Sequence, residues 1–562
     1  MSDSCENRYG EDFIPGTTKI FVSPDNSSID TSNTSRPLKK NSKGIILLPQ
    51  PCDSPNDPLN WSYFRKGWHF IFLCFITALT AAISNDAGAA QDSLNETYGI
   101  SYDAMNTGAG VLFLFIGWSC IVFAPASSLY GRRITYILCV LSGCLGSVWF
   151  AVSRKTADTI WSQAFVGISE ACAEAQVQQS LSDIFFQHQL GSALTLYIMA
   201  TSVGSFLGPL IAHIISEDQS FRWVGWWGAI ICGATLILVI FTCEETVFDR
   251  SKYSVVYDGS QAINDTPEIE ESKEEKNEPE VVKTTESFSF PQDNELQPSA
   301  ESEKPWSYFQ RMALITPASY LEGYGFKQYI RRFFLYFKVF TLPAVWLSGI
   351  LWGLQDAYMT FFLTTQDTYF SEEPWNYSGK GVAIMNVATL IGAVIGCFVS
   401  GILSDKHVLW MAKRNSGILE PEYRLWLLFI TLIISPLGLI MFGVGAARNW
   451  PWQAIYVGLG FIGFGWGSIG DTAMSYLMDS YPEIVIQGMV CVSIINNTLA
   501  CIFTFVCSLW LDSAGTESTY IVLAVISFVS IAMIIPTLYW GKTWRKRTKD
   551  LYLSIVELSS SS

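Results

Sequence analysis

Twelve apolar stretches, each approaching the roughly 20 residues that cross the hydrocarbon of a bilayer, constrain this chain more than any other feature. Six fall near 67–90, 105–128, 134–152, 159–182, 191–214 and 225–243. Six more fall near 339–364, 381–404, 425–446, 451–478, 487–511 and 519–541. In lipid every backbone N–H and C=O must be satisfied within its own segment, so stretches of this length are helices. The expected fold class is an all-α polytopic membrane protein with 12 transmembrane helices in two six-helix bundles. Composition agrees: 15% of residues are charged, against about 25% in a soluble domain.

Polar segments divide the chain into a cytosolic tail (1–65), a first bundle (66–246), a cytosolic loop (247–338), a second bundle (339–541) and a second cytosolic tail (542–562). The net charge is −15, and acids crowd the part of the loop between about Asp249 and Glu303, whose run EIEESKEEKNEPE (268–280) reads as a solvated linker. No basic and aromatic residues interleave as a nucleic-acid surface requires. Pro51, Pro55 and Pro58 preclude a long helix in the first tail, and Trp61, Arg65, Lys66 and Trp68 form an interfacial anchor. Before the seventh stretch, GYGFKQYIRRFFLYFKVF sets Lys327, Arg331, Arg332 and Lys338 among aromatics. It is either an amphipathic helix at the inner leaflet or an extension of the span.

Orientation follows from basic residues in short loops. Arg132, Arg133, Lys406, Lys413, Arg414 and Arg424, with the basic C-terminal tail, outweigh Arg154, Lys155, Arg222, Lys380 and Arg448 on the other side. Both termini are thereby assigned to the cytosol. Asn95 and Asn376 then head glycosylation sequons on outer loops. The cysteines show no CxxC spacing, and four His with scattered Cys assemble neither a metal site nor a catalytic constellation. We expect no enzyme, no cofactor and no metal.

The fourth stretch, Trp161 to Ser182, carries Glu170 and Glu174 in its interior. On a regular helix Gln163, Gly167, Glu170, Glu174 and Gln178 form one stripe. A carboxylate at mid-membrane costs roughly 2.5 to 3.5 kcal/mol on insertion scales, so it needs compensation. Asp86, Asp356 and Asp471 lie in stretches one, seven and ten, and no Lys or Arg lies within these four stretches. The acids therefore require protons, water or a cationic substrate. Trp352 stands one turn before Asp356, with Tyr358, Phe361, Trp466 and Tyr476 near in sequence. An ammonium over such a ring gains about 0.5 to 2 kcal/mol. Asn496, Asn497, Asn386 and Tyr197 offer neutral hydrogen bonds, while Asp183, Asp405 and Asp479 end cytoplasmic halves as latches. His213 reads as a loop-end residue facing water.

Particular motifs carry a resemblance to a known family. Leu129-Tyr130-Gly131-Arg132-Arg133 follows the second stretch, and Gly401, Asp405 and Lys406 follow the eighth. Gly204, Gly208 and Pro209 lie in the fifth, and Glu244-Glu245-Thr246 ends the sixth. Together they resemble the major facilitator superfamily in its drug:proton antiporter branch. SNDAGAAQDSL, NTGAGVLFL, LSDIFFQHQLG, GYGFKQY, WNYSGKGVAIMNV and PWQAIYVGLGF are similar to fungal plasma-membrane transporters of polyamines, histidinol and organic cations. Ser128, Gln163, Ala212 and His213 depart from the branch pattern, and loss of the Arg expected at Gln163 suits a cationic substrate.

The resemblance implies two bundles around a cavity lined by helices one, four, seven and ten. Glu170, Asp356, Trp352, Asp86, Asp471, Tyr358, Asn496 and Asn497 would bind substrate there. Glu174 and Asp183 would serve proton coupling or the exit path, and Gly131, Arg132, Arg133, Gly401, Asp405, Lys406, Gly204, Gly208 and Pro209 gating. The expected function is proton-coupled plasma-membrane import of polyamines such as spermidine and putrescine, by a functional monomer. The alternatives are a proton-driven exporter of cationic drugs and an amine-sensing transceptor.

Overall fold

The computed structural model describes residues 13–19, 39, 47, 49–248, 304–316 and 325–560. The acidic run at 268–280 lies outside the described residues. The first six long helices are α1 (Tyr63–Asn85), α2 (Tyr102–Tyr130), α3 (Arg132–Ala151), α4 (156–184), α5 (Gln187–Asp218) and α6 (Phe221–Thr242). The second six are α7 (Pro343–Tyr369), α8, α9 (Leu428–Ala447), α10 (Trp452–Ser480), α11 (Val485–Ala514) and α12, which runs Thr516–Ala532 and continues as Ile534–Arg547.

Two of these helices are not regular. In α4, Thr156–Ala171 passes into a π-helical turn, Cys172–Val177, and then into Gln178–Ile184; in α8, Gly379–Phe398 passes through a π-helical turn at Val399–Leu403 into Ser404–Arg414. A straight 3.6-residue stripe through Glu170, Glu174 and Gln178 is therefore corrected, because the widened turn shifts the phase of every residue beyond it. Among the described residues nine helices are long and apolar enough to span a membrane, or ten with one bent pair. Neither α4 nor α10 is among the nine; Glu170 and Glu174 interrupt the first, and Gly, Ser and Asp dilute the second.

Within each half the helices pack as α2 on α4, α3 on α6 and α1 on α5, and as α8 on α10, α7 on α11 and α9 on α12. The halves meet where α2 lies on α11 and α5 on α8. The second helix of each half thus meets the fifth of the other, as a two-fold relation between the halves requires. Glycine permits the closest approaches. A Cβ on Gly208 would stand 2.8 Å from Ala82 Cα of α1, and one on Gly392 would overlap the carbonyl oxygen of Gly460 in α10. Gly392→Val is therefore expected to separate α8 from α10 and to reduce the yield of folded protein several-fold, read by size-exclusion chromatography of the solubilised chain.

The segment before α7 is the helix Phe326–Val339, bent by 82° from Pro343–Tyr369, so it does not extend the span. Phe326, Lys327, Arg331, Phe334 and Phe337 are exposed, whereas Leu335, Tyr336 and Val339 are buried. Arg332 donates to Ser559 O at 3.1 Å in the C-terminal helix Lys549–Ser560.

Both chain ends dock on one face. Thr18–Lys19 pairs antiparallel with Ile418–Leu419, and Arg545 joins the Glu422 carboxylate (3.0 and 2.7 Å) to Thr17 Oγ1 (3.1 Å) and Pro15 O. Asn56 bridges to Lys304 O and Trp306 N. On the opposite face, Asn376 is exposed with φ 48°. Asn95 is half-buried in the helix Gln91–Tyr98 and donates to Ile100 O at 2.8 Å.

Candidate functional site

Glu170 ends the regular first part of α4, and Glu174 lies inside the π-helical turn. Such a turn leaves carbonyls without helical donors, and buried carbonyls need replacements. Tyr197 of α5 donates to Ala173 O at 2.9 Å, and Cys120 Sγ of α2 reaches Ala171 O at 3.5 Å. Gln178 donates to the Tyr197 hydroxyl at 3.3 Å and reaches Met474 Sδ of α10 at 3.1 Å. The turn is thus braced by α2, α5 and the second half.

From the second half, α7 brings Asp356 into electrostatic reach of both Glu170 and Glu174. Asp356 and Glu170 are each 9% exposed. Asp356 Oδ1 accepts from Trp466 Nε1 of α10 at 2.9 Å. The Trp466 ring lies 4.7 Å from Trp352 and meets Phe206 of α5 edge-on at 5.6 Å. Trp352 occupies the space that a Cβ on Gly470 would take. Asn496 adjoins Asp356, yet neither of its amide atoms makes a geometrically sound hydrogen bond. Ser84 of α1 faces Glu170, and Ser493 of α11 faces Glu174, one of whose carboxylate oxygens has no hydrogen-bond partner among the described residues.

Among the described residues no Lys or Arg forms an ion pair with these three acids. The result is a buried acidic centre shared by both halves and walled by indole rings. An ionised carboxylate placed there calls for a proton or an external cation.

Four residues assigned to substrate stand elsewhere. Asp86 opens the 3-10 turn Asp86–Ala90, lies within electrostatic reach of Cys232 in α6, and has Oδ1 unpaired. Asp471 accepts from Thr195 Oγ1 of α5 (3.4 and 3.3 Å) and lies near Arg424 and Asp405, toward the face that holds the termini. Tyr358 sits beside Ser527 and Ser530 of α12, because two residues past Asp356 is about 200° around a helix. Asn497 bonds back to Ser493 (2.9 Å to O, 3.3 Å to Oγ) and packs where Gly117 lets α2 approach α11.

The motif residues build the terminal face. Gly131 turns the chain at φ 100°, a left-handed conformation that disfavours a side chain. The Arg132 and Arg133 N–H groups then donate to the Glu245 carboxylate at 3.1 Å each, which caps the start of α3. Arg132 pairs with Asp183, and Arg133 with the carbonyls of Met312 and Ile240. In the second half Arg424 pairs with Asp405 (2.8 Å) and Asp479 (2.5 Å), while Lys406 is exposed. Asp183 and Asp479 thus latch within their own halves. Asp405 also accepts from Ser192 Oγ of α5 at 3.2 Å, and Thr195 fills the space beside Gly401, so α5 is held against α8 there.

At the other end a cavity of about 260 Å³ separates the halves. It is lined by Ser84, Gln163, His213, Gln366, Asp367 and Asn386, and by Pro209. His213 is half-buried beside Glu217, not a loop-end residue in bulk water. Ser84 both lines this cavity and faces Glu170, so the cavity ends beside the acidic centre. Sequence reasoning missed Asp367, because hydropathy ends the seventh stretch at 364 while α7 runs on to Tyr369. Its spacing from Asp356, three helical turns, was the available signal.

Comparison with known proteins places this geometry in context. A family model described as Major Facilitator Superfamily matches residues 69–504. Protein HOL1 of Saccharomyces cerevisiae is 55% identical over 99% of both chains. An uncharacterized MFS-type transporter of Schizosaccharomyces pombe is 48% identical over 97% of this chain and 95% of its own. The crystal structure of the human organic anion transporter MFSD10 (TETRAN) superposes with a TM-score of 0.52 at 11% identity, covering 84% of this chain and all of that one. The last likeness concerns the fold alone.

Proposed function

The chain belongs to the major facilitator superfamily, and from that premise we propose that it imports polyamines such as spermidine and putrescine, and related organic cations, across the plasma membrane with proton coupling. The observation that carries this reading is the centre of Glu170, Glu174 and Asp356, drawn from both halves, beside Trp352 and Trp466 and with no cation of the described residues paired to it. Alkylammonium groups supply the missing charge and N–H donors, and the indole faces favour them over bare alkali ions.

The face holding both chain ends takes the cytosolic side, in line with its Arg132, Arg133, Arg424 and Arg545. The cavity then faces outward, and closure of α5 against α8 separates the acidic centre from the cytosol. A cation entering through the cavity meets Glu170 and Asp356, and rocking of the two halves about this centre exposes it to the other side. Glu174, one turn nearer the cytosol, takes the proton role: when it is protonated, the carrier crosses with less unbalanced charge.

Cells expressing the protein should accumulate radiolabelled spermidine faster than cells lacking it, and faster with an inward proton gradient than without one. Equal accumulation in both cell types removes the proposal. The close seating of Gly204 and Gly208 on α1 also fits a proton-driven exporter of cationic drugs. Preloaded vesicles under an imposed pH gradient separate the two by the direction of amine movement.

A further inference from the structure

The cavity that ends beside the acidic centre has polar groups of its own. Asp367, near the end of α7, lines it and is exposed to it. Next to it, Gln366 is 1% exposed; its Nε2 donates to Val382 O at 3.0 Å, which fixes the amide and leaves Oε1 without a partner. Asn386 of α8, 2% exposed, likewise lines the cavity with Oδ1 unpartnered. The groups offered here include a carboxylate and two amide carbonyl oxygens, the latter without a hydrogen-bond donor among the described residues.

The surrounding charges do not neutralise them. Asp92, on the helix Gln91–Tyr98, lies within electrostatic reach of Asp367. Lys380 is committed to Glu217 (3.4 Å) and Asp218 (2.9 Å), and among the described residues no ion pair reaches Asp367. His213 lines the cavity with Glu217 beside it. Buried acceptors without donors are costly unless a donor arrives, and an ammonium brings up to three with its charge.

We propose that this cavity is a receiving subsite for an alkylammonium group, in which Asp367 supplies the charge and Gln366 and Asn386 the carbonyl acceptors. The proposal rests on the polyamine reading and deepens it. Asp367 stands eleven residues beyond Asp356, about 16 Å along the same helix, so the subsite is a separate stop on the inward path. Ser84 and Gln163, lining the cavity on the Glu170 side, connect the two.

The subsite sets capture from dilute solution; the acidic centre sets translocation. Equilibrium binding of radiolabelled spermidine to the purified full-length protein, together with initial uptake rates in cells, tests the division. Asp367→Asn should weaken binding and raise KM about ten-fold, with the maximal rate within two-fold of wild type; Glu170→Gln should weaken binding and also lower the maximal rate at least ten-fold. Gln366→Leu should raise KM in the same direction but by less. Wild-type affinity and KM in Asp367→Asn would overturn the subsite and leave the polyamine reading standing. A wild-type protein that neither binds nor carries spermidine would overturn both.

Discussion

Glu170→Gln and Asp356→Asn are each expected to lower the rate of cationic-amine uptake at least ten-fold, with surface abundance close to wild type. A charge-assisted hydrogen bond is worth about 1.5 to 3 kcal/mol, or roughly ten- to a hundred-fold in affinity. Both acids face the acidic centre where the ammonium would sit, Glu170 from the first half and Asp356 from the second. Folding should survive, because removing one charge strands no opposite charge. No Lys or Arg pairs with either acid among the described residues, and destabilisation by several kcal/mol arises when a buried partner is left uncompensated. At position 356 the asparagine Oδ1 can still accept from Trp466 Nε1. Uptake normalised to surface protein gives the answer, and wild-type rates in both variants would show that the acids lie off the path.

The second large effect concerns gating. Gly401→Ala should shift the protein away from the conformation in which α5 is closed on α8. A Cβ at position 401 would overlap the Thr195 side chain, while Thr195 also donates to Asp471 and neighbouring Ser192 to Asp405. Overpacking a close contact costs about 1 to 3 kcal/mol, a population shift of roughly five- to 150-fold. A cysteine replacing buried Ser400 beside this contact should label faster with a thiol reagent in Gly401→Ala than in its parent. Adding Thr195→Gly should restore slow labelling, a rescue that general misfolding would not show. Unchanged labelling in Gly401→Ala would dissociate this contact from closure.

The helical plan was legible because lipid leaves the backbone few choices, so length and hydropathy locate most of the helices, while α4 and α10 are too diluted by polar residues and glycine to stand out by hydropathy alone. The acidic centre was legible for a related reason: Glu170, Glu174 and Asp356 are expensive where they stand, and their cost marks them. Depth and azimuth were harder. Asp471 is buried even more deeply than Asp356, but the sequence does not say how far along the bundle it sits, and it joins Thr195 at the closed end instead. Tyr358 is near Asp356 in sequence, but a helical wheel already turns it to another face. The π-helical turn at Cys172–Val177 had no sequence mark, since Tyr197 and Cys120, which satisfy its carbonyls, come from other helices. Nor does hydropathy reveal that residues 13–19 and 49–62 pack on the terminal face; proline-rich polar sequence looks alike whether docked or solvated.

The central claim is that Glu170 and Asp356 hold the cation in their ionised form, while Glu174 beside them carries the coupled proton. The most direct measurement is spermidine affinity of the purified protein as a function of pH, for wild type and for Glu170→Gln with Asp356→Asn combined. Protonation removes the charge that attracts the amine, so wild-type affinity should fall as pH is lowered. The double variant should bind at least about ten-fold more weakly and lose most of that pH dependence. A double variant with wild-type affinity and wild-type pH dependence would contradict the account.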